Sequence, residues 1–249
     1  MSGHSHWAGI KHKKALVDAK RGKLWSKLAK AIIIAAKSGG DPEANFKLRA
    51  AIDAAKAVSL PKENITRAIK TGTGELKGAD LEEIVYEGYG PDGVAVYCEA
   101  LTDNRNRTAP EIRKIFERGG GKLGATGCVA WNFEKKGLFL IPRSAMDEEK
   151  LMELMIEAGA EDFKAVEDSY EITCQPENYQ SVSDAVAASN LTPEVSELSF
   201  FPKDSVDIMT RENAAKVLQL MEMLDEHEDI QNVSSNFNIP DELMAELEK

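Results

Sequence analysis

Residues 138–201 constrain the fold more than any other stretch. Leu138-Phe139-Leu140-Ile141 reads as a strand, 147–158 as a helix, 163–166 and 170–173 as strands, 177–189 as a helix and 198–201 as a strand. A β-α-β-β-α-β order buries its apolar faces best as one sheet covered by two helices, the ferredoxin-like arrangement. A strand at 205–209, a helix at 211–226 and a strand at 230–237 follow, which is half of such a unit. The other half precedes it: a strand at 94–101, a helix at 109–118 closed by Gly119-Gly120-Gly121, and a strand at 129–133. A further strand at 83–89 reaches 94–101 through the turn Gly90-Pro91-Asp92-Gly93. The expected organisation is a discontinuous α/β domain, 79–136 plus 203–249, with a second α/β domain of the same plan, 137–202, inserted in it.

Ahead of these lies a different alphabet. From Arg21, Leu24, Leu28, Ala31, Ile32 and Ala35 recur at helical spacing until Gly39-Gly40. Asp41 and Pro42 suit the start of a second helix with Leu48, Ala51, Ile52 and Ala55 inward; a third begins at Pro61 with Ile65, Ala68 and Ile69 inward. Short Ala-rich helices on tight loops predict a closely packed three-helix domain over 1–78. The fold class is therefore α+β and multidomain: three helices, then two ferredoxin-like α/β domains, one inserted in the other.

Charge divides along the same line. Residues 1–77 carry 16 Lys and Arg against 6 Asp and Glu; the remainder carries 15 against 36. A basic part joined to an acidic part points to a polyanion-binding region on a solubilising or partner-binding body. Within the first 40 residues Asp18 is the only acid, and His6, Trp7, Lys11, His12, Lys13, Lys14, Lys20, Arg21 and Lys23 follow closely on one another. Cations neutralise phosphates, and Trp7 suits stacking on a base. A solvated basic helix surface is the plainer alternative.

The cluster Thr102-Asp103-Asn104-Arg105-Asn106-Arg107-Thr108 joins a strand to a helix. Its small polar residues suit a turn, and Thr108 suits a cap before Pro110. The turn does not account for Arg105 and Arg107, whose planar forks suit phosphate; Arg113, Arg118 and Lys122 extend the basic character. Gly119–Gly124 fails as a P-loop, because no Ser or Thr follows Lys122 and the run follows a helix. His4, His6 and His12 lack acidic or thiol companions, so no metal is expected there. Cys98, Cys128 and Cys174 stand far apart, in strand-like runs and without a CxxC pair, and read as buried free thiols. No apolar run is long enough for a membrane span, and the charged first residues do not read as a secretory signal. No nucleophile elbow, Cys–His pair or paired carboxylates announce an enzyme.

Gly3-His4-Ser5-His6-Trp7, Ile10-Lys11-His12-Lys13-Lys14, Asp18 and Arg21-Gly22-Lys23 resemble the opening of the YebC family. So do Tyr86-Glu87-Gly88-Tyr89-Gly90-Pro91, the 102–108 cluster, and Gly124-Ala125-Thr126-Gly127-Cys128-Val129. The resemblance spans the chain in order. It implies a three-domain cytoplasmic protein without enzymatic activity, with a helical N-terminal domain and two α/β domains around a central cleft. Members are described as transcriptional regulators that bind DNA. A mitochondrial relative is a translational activator, and some bacterial members are described as acting at the ribosome on proline-rich stretches. The expectation is a cofactor-free monomer that binds nucleic acid, promoter DNA first and ribosomal RNA as the alternative.

Overall fold

The computed structural model describes residues 21–78, 80–166 and 168–247. Its first element, α1 (Arg21–Ala36), turns Ile32, Ala35 and Ala36 toward α2 (Phe46–Ala57) and α3 (Lys62–Gly72), which answer with Leu48, Ile52, Ala55, Ile65 and Ala68. The second helix starts four residues later than Asp41-Pro42 suggests. Asn45 caps it, its Oδ1 accepting from Leu48 N (3.1 Å) while its Nδ2 donates to Ala35 O and Gly39 O. One side chain thus satisfies both a helix start and the preceding helix end, while Asp41 Oδ1 accepts from Glu43 N in the intervening turn. Gly72 lets α3 approach α1: a Cβ there would stand 2.3 Å from Ile33 O.

Two antiparallel four-stranded sheets follow. The first comprises β1 (Glu82–Tyr89), β2 (Ala95–Thr102), the short β3 (Lys122–Leu123) and the distant β9 (Ile230–Ser235), in the order β3-β1-β2-β9. Helices α4 (Arg105–Arg118) and α7 (Arg211–Asp225) cover one face, where Ile112, Phe116, Val217, Leu220, Met221 and Leu224 meet Tyr86, Val96 and Cys98. The second sheet takes β4 (Phe133–Pro142), β5 (Ala160–Val166), β6 (Ser169–Cys174) and β7 (Val195–Pro202) in the order β5-β6-β4-β7. Helices α5 (Glu148–Glu157) and α6 (Tyr179–Ala188) cover it. That is the ferredoxin-like order read from the sequence, and the unit sits inside the chain of the first.

The first sheet reaches the same plan by another route. The strand expected at 205–209 is only β8 (Val206–Asp207), which pairs in parallel with β10 (Phe237–Asn238) outside the sheet, and β1 fills the place beside β2. The strand expected at 129–133 is a 3-10 turn at Ala130–Asn132, and β4 then runs unbroken through 136/137. The helix expected from Ala109 begins at Arg105, because Asn104 caps it by accepting from Arg107 N (3.1 Å). A short closing helix, α8 (Asp241–Leu247), carries Met244 into the first core.

The parts are fastened to one another. Tyr97, on the open face of the first sheet, packs on Phe133 and Phe200 with ring centroids 5.6 and 4.6 Å apart. Phe46 of α2 meets Tyr179 of the inserted unit at 6.2 Å. Cys98 and Cys174 are buried, and Cys128 is half-buried in a loop, not a strand; all three are free. Burial pushes the Cys174 thiol up to about 11, so it stays protonated at neutral pH.

Candidate nucleic-acid interface

Seven of the expected contacts, His6, Trp7, Lys11, His12, Lys13, Lys14 and Lys20, lie outside the described residues, as do His4 and Asp18. Arg21 opens α1. The cations that follow it on α1 do not form a free phosphate track. Lys23 Nζ donates to Glu226 O (3.4 Å), Lys27 Nζ to Asp225 O, and Lys30 Nζ to Glu228 O (3.2 Å). These carbonyls lie at and just beyond the C-terminal end of α7, where a helix presents unpaired acceptors and negative dipole charge. Lysines at helical spacing on α1 therefore dock the helical region onto the first α/β unit.

The centre of that dock is Asp229, fully buried. Its Oδ1 accepts from Lys30 Nζ at 2.5 Å, and its Oδ2 accepts from Thr108 Oγ1 at 2.7 Å and Arg107 Nη2 at 3.0 Å. Burial by itself would raise this carboxyl, but the hydrogen bonds from Lys30, Thr108 and Arg107 outweigh it and hold it well below the usual carboxylate range. Thr108 does not cap α4; its hydroxyl also meets Thr102 Oγ1 at 2.8 Å. Asp229 N donates to His227 Nδ1 (3.1 Å), which leaves the ring proton on Nε2, 3.0 Å from Glu111 Oε2.

The two arginines of the 102–108 cluster consequently part company. Arg107 bridges Asp229 and Asp103, the latter at 3.2 Å, so one arm of its fork is occupied. Arg105, two residues earlier at the start of α4, is exposed and makes no ion pair among the described residues. Arg118 and Lys23 line a cleft of about 360 Å³ shared with Glu226, His227 and Glu228, so positive and negative groups mix there.

A cationic groove that was not singled out in the sequence lies on α3. Lys62, Thr66, Arg67 and Lys70, with Glu63 and Leu76, line an open cavity of about 500 Å³. Lys62, Arg67 and Lys70 make no ion pair among the described residues, and Ile65 and Ala68 point the opposite way, into the helical core. The signal was present as basic residues five and three apart on a helix whose inward residues had been recognised. Among the described residues no group of three His, Cys, Asp or Glu could hold a metal ion, and no helix is long and apolar enough to cross a membrane.

Comparison with known proteins agrees with this architecture. Residues 5–75 match the TACO1/YebC protein N-terminal domain, and residues 81–237 the TACO1/YebC second and third domain. A probable transcriptional regulatory protein of Rhodopirellula baltica is 55% identical over 248 residues, covering 99% of this chain and 100% of its own. One of Natranaerobius thermophilus is 54% identical over 248 residues, covering 98% and 99%. The crystal structure of a conserved hypothetical protein from Aquifex aeolicus superposes with a TM-score of 0.87 at 48% identity, covering 95% of this chain and 98% of its own. With both family regions matched in order along one chain, this protein is a member of the TACO1/YebC family.

Proposed function

We propose that the protein is a non-enzymatic nucleic-acid-binding regulator of gene expression, acting in the cytoplasm as a monomer through promoter DNA. The observation that carries this reading is the α3 groove, whose Lys62, Arg67 and Lys70 stay free of ion pairs among the described residues while the lysines of α1 are engaged. It opens on the part of the chain that holds the cationic excess, and the acidic remainder repels a polyanion from the other faces. The relatives' name, probable transcriptional regulatory protein, supports the regulatory role. Arg105 supplies a second contact, and the residues from His6 to Lys23 supply the arm. We take 1–78, 79–136 with 203–249, and 137–202 as the domain limits.

A second reading, a ribosomal-RNA-binding translation factor that assists proline-rich sequences, is favoured by the separation of the free cations between α3 and the start of α4. Two spaced contacts suit a shaped RNA surface better than a backbone tracked by one helix. The test is a gel shift on promoter DNA beside co-sedimentation with ribosomes, for wild type and Arg105→Ala. On DNA the variant loses little and does so alike for all sequences. Strong ribosome association that Arg105→Ala abolishes, with sequence-blind DNA binding, rejects the transcriptional reading.

A further inference from the structure

The loop between β3 and β4 is held from beneath by one acid. Glu87 is buried on β1, on the face turned away from α4 and α7, and its carboxylate accepts from Gly127 N (2.6 Å), Val129 N (2.9 Å) and Ala130 N (2.8 Å). Gly127 takes φ +86°, a conformation that favours glycine and lets the chain wrap the carboxylate. The nest of N–H groups is therefore filled from within and does not await an external anion.

What the loop does present is a carbonyl and two rings. Cys128 O accepts from Tyr89 Oη (2.9 Å) and from Trp131 Nε1 (3.0 Å), so both polar ends are satisfied on one atom. The ring bodies are left open: Trp131 is 66% exposed and Tyr89 41%. The apolar cluster directly below, Ala95, Val129 and Phe133, closes without Trp131. A fixed, exposed aromatic pair is a surface built for contact.

Charge selects the occupant. Lys122 is the register partner of Tyr89 and stands on the same face. Lys203 N donates to Asn132 O (2.7 Å), which sets that lysine beside Trp131. Both lysines are exposed, with no ion pair among the described residues. Of the acids nearby in the chain, Asp204 and Glu134 are also exposed, Asp204 bonded through its backbone to Asn132, and Glu87 is occupied by three donors. Exposed flat rings on a face that also carries Lys122 and adjoins the backbone of Lys203 match a ligand with a π-face and an anionic backbone.

We propose that Tyr89 and Trp131 form a stacking site for an unpaired base of a nucleic-acid strand, with Lys122 and Lys203 on the flanking phosphates. This rests on the nucleic-acid reading above and adds a second face, remote in sequence from the basic arm, that distinguishes single strands from duplex.

The experiment measures fluorescence anisotropy of the full-length protein with a labelled 12-nucleotide single-stranded RNA and with a duplex of equal length. Trp131→Ala weakens single-strand binding about 10-fold or more and leaves duplex binding within about twofold, since stacking on one ring is worth that much per base. Trp131→Phe, which keeps a ring but not the Nε1 donor, stays within about threefold of wild type. If wild type binds both forms and Trp131→Ala binds single strands equally well, the site is overturned and the regulatory reading stands. If wild type binds neither form, the nucleic-acid reading fails and takes the site with it. If sedimentation shows a wild-type dimer that Trp131→Ala dissociates while strand affinity holds, the rings are a protein contact and the proposal is wrong.

Discussion

Asp229 shows how much a single buried carboxylate decides. Three donors from two different parts of the chain, Lys30, Arg107 and Thr108, converge on it. Its folded-state ionisation is depressed, so its stabilisation is complete above the unfolded-state value, about 3.9, and is lost as pH falls through the folded-state value. Urea denaturation of the wild type is thus flat around neutral pH and weakens below about pH 4, whereas Asp229→Asn is weaker at pH 7 by about 2–3 kcal/mol and shows less of the acid loss. An Asp229→Asn protein as stable as wild type at pH 7 refutes the hub. The two arginines give a paired test. Arg107→Ala removes a donor from a buried acceptor and costs about 1–2 kcal/mol, while exposed Arg105→Ala changes stability by less than about 0.5 kcal/mol. Sequence weighed them as equals; their difference comes from Asp229, which lies 122 residues beyond Arg107.

At the scale of elements, the lysines of α1 dock the helical region, whereas Lys62, Arg67 and Lys70 of α3 stay free of ion pairs among the described residues. The triple variant Lys62→Ala, Arg67→Ala, Lys70→Ala leaves the helical core untouched, since Ile65 and Ala68 remain inward. On duplex DNA the wild-type log–log salt slope is about −4 to −5, and the triple variant reduces its magnitude by about 2.7, one phosphate for each cation. An unchanged slope excludes the α3 groove as the anchor. The β3–β4 loop offers the opposite case, in which a carboxylate holds structure. Glu87→Gln weakens three N–H acceptor contacts and costs about 2–3 kcal/mol by urea denaturation. Neither role was legible locally. Cys128 and 129–133 read as strand, and only the approach of β1 from beneath shows why 130–132 coil into a 3-10 turn and leave Trp131 outside.

For the whole molecule, the helical region is latched to the first α/β unit by side chains that salt and acid can loosen, and to the inserted unit by Phe46 on Tyr179. Lys30→Ala therefore raises amide hydrogen exchange along α1 and in the 226–229 loop while β4 and β6 keep wild-type protection. Uniform change across all elements contradicts a local latch. The sequence by itself determined most of the helices, the inserted β-α-β-β-α-β unit and the basic–aromatic opening, because periodicity and charge are local properties of the chain. Which of the described lysines stay free of ion pairs, which strand completes the first sheet, and that Trp131 stands in solvent were decided only by tertiary structure. Lys30 and Asp229 are 199 residues apart, and an ion pair across that separation exists only once the fold has brought both ends to the same place.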